Sequence, residues 1–239
     1  MKSPCRIIAA GALLFALSAS LPAIAGRGNA GNPGVLPPQS VPNGKTYGEW
    51  SATWWQWALG QPADVNPLLD QTGANAAQGQ TGNVWFLCGV WNTSGQADRS
   101  ITVPPGKALF FPIINFMWIS TVPEDPQTAE GIREIIKPPA DAVDKLECEV
   151  DGVALKNLAQ YRTESPLFDV TFPDGDVYGI GPATYGPSMD EGYYVMLAPL
   201  SAGKHTIHLY GNMPEAIPPY WNPFSVDIMY HITVGKPGK

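Results

Sequence analysis

The sequence predicts a mainly β protein: a single-domain β-sandwich, immunoglobulin-like or jelly-roll, with a Trp-rich N-terminal helix and one short helical insertion. Three observations carry this. Gly 25 and Pro 25 among 239 residues make a turn-rich chain. Short apolar or alternating runs, each closed by turn residues, fill the chain from residue 81 on. A hydrophobic content of 44% against 15% charged supplies enough apolar surface for a core. The net charge of −7, with no cluster of Lys and Arg, excludes a nucleic-acid-binding surface.

Residues 1–25 read as a signal peptide rather than fold. Lys2 and Arg6 precede an apolar stretch from Ile7 to Leu21, and Pro22-Ala23-Ile24-Ala25 ends it with small residues at the positions a signal peptidase reads. The chain is therefore expected to be exported, periplasmic or extracellular, with no transmembrane span in its mature part. Residues 26–45 lack a periodic apolar pattern and read as a flexible lead segment, leaving 46–236 as the domain.

Thr46-Tyr47-Gly48-Glu49 is a T-x-x-E capping box that starts a helix, and Gly60 and Pro62 stop it. Tyr47, Trp50, Trp54, Trp57 and Ala58 form its apolar face, opposite Glu49, Thr53 and Gln56. Strands are expected over 83–90, 108–115, 146–150, 167–172, 193–198, 204–210 and 226–234. Asp151-Gly152 is a two-residue hairpin signal. Ser201-Ala202-Gly203 is read as turning strand 193–198 back onto 204–210. A helical insertion is expected from Asp125 at the N-cap to Lys137-Pro138, with Ile132, Ile135 and Ile136 as its buried stripe.

The segments YGEWSATWWQWALG, GNVWFLCGV, VPPGKALFFPIIN, DEGYYVMLAPLSAGKHTIHLYGN and FSVDIMYHITV resemble a family of uncharacterised secreted bacterial proteins. The resemblance spans most of 46–234, and the Trp-rich helix is its most specific part. It implies a secreted globular domain and supplies no catalytic residue. Family members carry a cysteine pair near the positions held here by Ala76 and Ser100, so that crosslink is absent.

HExxH, G-x-S-x-G, Walker and Rossmann patterns are all missing. Weaker constellations remain. Alternation places His208 on one strand face, and Asp227 and His231 on one face of another. If the strands pair, the three form a candidate divalent-metal or acid–base site. Glu49 and Asp70 are a candidate catalytic carboxylate pair, although Glu49 is already explained by its cap and Asp70 reads as a turn former. Asp190-Glu191 before Gly192 reads as a solvated turn. Among the eight Trp residues, Trp91 and Trp221 lie in loops with Tyr220, where flat aromatic faces suit sugar rings. Arg99 is a candidate carboxylate binder, and Asn115 is a polar residue in an apolar strand, placed to face a pocket. Cys88 and Cys148 form either one disulfide or two separate buried thiols.

These features favour a secreted binding module for a carbohydrate or another cell-envelope ligand. The alternatives are an extracellular hydrolase or lyase, with or without a divalent metal, and a structural envelope protein.

Overall fold

The computed structural model describes residue 32, residues 34–91 and residues 95–235. The signal peptide expected at 1–25 lies outside the described residues. Among the described residues no helix is long and apolar enough to cross a membrane.

Two five-stranded sheets face each other across one apolar core, as a β-sandwich requires. The first sheet orders β1 (Val84–Phe86), β3 (Ala108–Ile119), β8 (Thr184–Leu197) and β6 (Arg162–Glu164), with β7 (Phe168–Thr171) also on β8. The second orders β2 (Gln96–Val103), β10 (Phe224–Val234), β9 (Gly203–Met213), β4 (Lys145–Val150) and β5 (Val153–Ala154). Most pairs are antiparallel; β1–β3 and β2–β10 are parallel. The sheets pack against each other where β9 crosses β3. There a Cβ on Gly211 would stand 2.7 Å from that of Ile114, so only glycine fits.

Helix α1 (Tyr47–Leu59) forms as predicted. The Thr46 side chain accepts from the Glu49 N–H at 3.2 Å, while the Thr46 N–H donates to the Glu49 carboxylate at 2.7 Å. Trp54, Trp55 and Trp57 are core residues. Each indole N–H leaves the helix for a fixed acceptor: Leu87 O, Asp190 Oδ1 and Gln78 O respectively. Such a partner removes the cost of taking the indole N–H out of water. α1 lies on the outer face of the first sheet, the face that carries Asp190.

Helix α2 (Ala129–Asp141) begins later and ends later than the sequence implies. Thr128, not Asp125, is the N-cap, accepting from the Gly131 N–H. The Asp125 carboxylate is spent upstream on the N–H groups of Thr121 and Val122. Pro138 and Pro139 sit inside the helix. Pro139 has no N–H for the carbonyl of Ile135, which accepts instead from the Trp221 indole N–H at 3.0 Å. Ile132 and Ile136 pack on Met189, and the Tyr193 hydroxyl donates to Ala140 O, so α2 covers the opposite face of the first sheet from α1.

Other departures have local causes. β2 escapes the alternation test because its inward row reads Arg99, Ile101, Val103, beginning with a charged residue. The lead segment is not loose from residue 34 on. Val35 is fully buried and bridges Leu197, and Leu36 N and Gly34 O pair with β8 and its end. Ser201-Ala202-Gly203 does not close a hairpin; it carries the chain from β8 in one sheet to β9 in the other. The Asp151-Gly152 hairpin is present, with both residues at positive φ (51° and 77°) joining β4 to β5. Cys88 and Cys148 are both buried free thiols, so the disulfide alternative does not hold.

Candidate functional site

β1 pairs with β3 only over Ala108–Phe110. Beyond that point the same edge of β3 opens into a cleft of about 370 Å³. One wall is the segment Gly89–Trp91, the floor is Pro112–Met117 of β3, and the far wall is Trp221–Val226. Tyr178 stands at the rim with its ring 4.9 Å from that of Trp91, edge to face. The cleft continues past Met117, Tyr178 and Trp221 into an open groove of about 470 Å³ lined by Trp118, Ile180 and Tyr220. The cleft's lining is mostly apolar, with the amides of Asn115 and Asn222 and the Tyr178 hydroxyl among its polar groups.

Three sequence candidates from distant segments therefore meet: Trp91, Asn115 and Trp221 share one cleft. Tyr220 belongs to the adjoining groove, its ring edge-to-face with Trp118 at 4.9 Å. Trp91 is 40% exposed and Tyr220 54%, so both offer aromatic surface to a ligand. Trp221 is held from behind: its N–H donates to Ile135 O and its ring packs on Phe116. Asn115 keeps its place on the sheet because its cross-strand neighbour is Gly192, where a Cβ would stand 2.5 Å from that of Asn115.

Behind Asn115 lies a buried polar chain that sequence reasoning missed. The Asn115 Nδ2 donates to the Tyr194 hydroxyl at 2.7 Å. That hydroxyl in turn donates to the Asp190 carboxylate, at 2.8 and 2.9 Å from its two oxygens. Trp55, which also lines the cleft, donates to Asp190 Oδ1 at 2.6 Å. Asp190 is fully buried, and its pKa is pushed up to about 7 by that burial, with the Trp55, Tyr194 and Ser51 hydrogen bonds pulling the other way. Asp190-Glu191 is thus not a solvated turn but the middle of β8. Its two carboxylates point to opposite faces, with Glu191 bonded to Arg162 at 2.7 Å. The available signal was the register: positions 190, 192 and 194 share a face in one long strand, which the DEG turn pattern masked.

Arg99 is 1% exposed and contacts no ligand surface. Its guanidinium is consumed by the carbonyls of Asp70, Cys88, Gly89 and Pro67 and by the Tyr230 hydroxyl, all within 3.2 Å. It clamps the segments at Pro67–Asp70 and Cys88–Gly89 to β2 and is not a carboxylate binder. Asp70 is likewise structural. Its carboxylate accepts from Thr72 N–H, Thr72 hydroxyl and Asn75 N–H, bonds that hold its pKa low against the opposing effect of partial burial. Glu49 is spent on its capping box. The two carboxylates thus each close a local turn, and no cleft joins them among the described residues.

The histidine constellation forms in part. His208 Nε2 meets Asp227 Oδ1 at 2.8 Å across the β9–β10 pair. His231 instead faces Asp98 on β2, at 3.2 Å, because β2 rather than β9 offers it a carboxylate. Among the described residues no group of three or more His, Cys, Asp or Glu is placed to hold a metal ion. His205 bonds Asp151 Oδ2 at 2.7 Å and Ser201 O at 3.0 Å, and the Asp151 contact raises its pKa. His205 and His231 border a shallow concavity on the second sheet, where both ring nitrogens of His205 are paired and His231 Nε2 meets Asp98.

No family model and no curated protein matches the chain. Two solved structures show distant likeness. A cysteine protease inhibitor, EhICP2, from Entamoeba histolytica aligns with a TM-score of 0.22 and 11% identity, over 63% of this chain and 94% of that one. Amebosin aligns with a TM-score of 0.17 and 12% identity, over 58% of this chain and 96% of that one.

Proposed function

We propose that the chain is a binding module whose ligand enters the cleft as a ring with an apolar face and a polar rim, a sugar ring of an envelope or extracellular carbohydrate being the class that fits. The observation that carries the reading is the convergence of Trp91, Asn115 and Trp221 on one mostly apolar cleft. Flat aromatic surface stacks on C–H faces, and a few fixed polar groups then orient the ring edge. Export, expected from the N-terminal sequence, would bring the cleft to such ligands. The hydrolase alternative finds less support, since Glu49 and Asp70 are committed to a cap and a turn.

The test is a titration of the protein with a panel of soluble oligosaccharides, followed by intrinsic tryptophan fluorescence and calorimetry. Saturable binding is expected. Trp91→Ala should weaken it by about tenfold or more, the scale of a lost central aromatic contact, with the thermal midpoint unchanged. Equal binding by Trp91→Ala, or no binding by any saccharide, would sink the proposal.

A further inference from the structure

We infer that Asn115 makes a hydrogen-bond donor on the ligand obligatory, so that the cleft selects rings bearing a hydroxyl or N–H and rejects those that only accept. This rests on the cleft being the binding site and adds the chemistry it reads.

The inference follows from the direction of the buried chain. An ionised carboxylate only accepts hydrogen bonds. Asp190 takes the Tyr194 proton, and it also takes the Trp55 N–H. The Tyr194 oxygen, its own proton committed, can only accept from Asn115. The amide must therefore turn its NH₂ end inward and leave Oδ1 to the cleft side, where no group among the described residues is seen to bond it. Asn115 has no freedom to flip, because a reversed amide would set its oxygen against an oxygen with no proton to give. Gly192 beneath it and the stacked Phe110–Tyr194 rings, 5.2 Å apart, hold the whole chain in place. When a ring fills the cleft and displaces water, Oδ1 is satisfied only by a donor from the ligand. An acceptor-only ring leaves it buried and unpaired. A sugar meets the requirement readily, since each hydroxyl can donate.

Indole and benzofuran test the rule. They match in size and shape, and only indole carries an N–H. At pH 8 and with ligand-observed NMR and calorimetry, indole should bind about tenfold tighter than benzofuran, the scale of one unpaired buried acceptor. In Asn115→Leu the two should bind alike. In Asp190→Asn the new amide can donate to Tyr194, which frees the Tyr194 proton for Asn115 and lets that amide reverse, so the preference for indole should shrink or invert. Thermal midpoints of both variants identify any that are unfolded, and Asn115→Ser serves as a smaller replacement that keeps an acceptor. Equal binding of both rings to the unaltered protein would overturn the donor rule and leave the cleft reading standing. Persistence of the preference in a folded Asp190→Asn protein would overturn the role given to the buried chain. Binding of neither ring would overturn the rule, while the saccharide titration decides the cleft reading separately.

Discussion

Replacing Asp190 by Asn should change how stability depends on pH. The carboxyl is fully buried, and its pKa stands at about 7 in the folded protein against an ordinary value of 3.8. Below 3.8 both folded and unfolded chains hold the proton. Between 3.8 and about 7 only the folded chain holds it, so unfolding releases a proton and stability falls as pH rises. Above about 7 the contribution is constant and unfavourable. At about 1.4 kcal/mol per pH unit this interval corresponds to about 4 kcal/mol of stability lost. Asn is neutral throughout, so that loss should vanish from Asp190→Asn. Glu191 and His205 also have raised pKa values, and each removes stability as pH rises through it. They remain in the variant and cancel when the two proteins are compared. Urea unfolding at half-unit steps from pH 4.5 to 8 reads the difference directly. The gap between variant and parent should grow in favour of the variant by several kcal/mol across that range. Parallel pH profiles would refute the reasoning, because they would mean that Asp190 titrates alike in the folded and unfolded chains.

Three further outcomes are expected. Arg99→Met keeps most of the side-chain volume but strands the carbonyls of Pro67, Asp70, Cys88 and Gly89, and should cost about 3 kcal/mol or more in chemical denaturation. Gly192→Ala drives a methyl against Asn115 and should cost about 1–3 kcal/mol while shifting the Asn115 side-chain amide resonances. Burial raises the pKa of both Cys88 and Cys148, the latter to about 12, so neither should react with a thiol reagent until urea unfolds the chain, as peptide mapping by mass spectrometry will report.

What was legible in the sequence was whatever a few neighbouring residues decide. Thr46 and Glu49 cap α1 through contacts three residues apart, and Asp151-Gly152 turns a hairpin on its own dihedrals. Trp91, Asn115 and Trp221 were visible as site candidates because each violates its surroundings: an aromatic in a loop, or an amide in an apolar run. What failed depended on partners distant in the chain. Asp190 looked like a turn residue because Trp55, 135 positions away, is what makes its burial tolerable. Arg99 looked like a carboxylate binder for the same reason, since its acceptors lie in two separate earlier segments, around Pro67–Asp70 and Cys88–Gly89. His231 was grouped with His208 because nothing local reveals that β2 lies on its other side, parallel to β10.

The Arg99 clamp also bears on how the molecule comes to be folded. Many small domains hold such a segment with a cystine, and their folding then waits on an oxidant. Here a guanidinium gathers the carbonyls and both buried sulfurs stay as thiols. A cation on a carbon stem has the same charge in reducing and oxidising surroundings. The wall that carries Gly89 to Trp91 therefore assembles without any electron transfer, and neither glutathione nor a disulfide isomerase has a bond there to break.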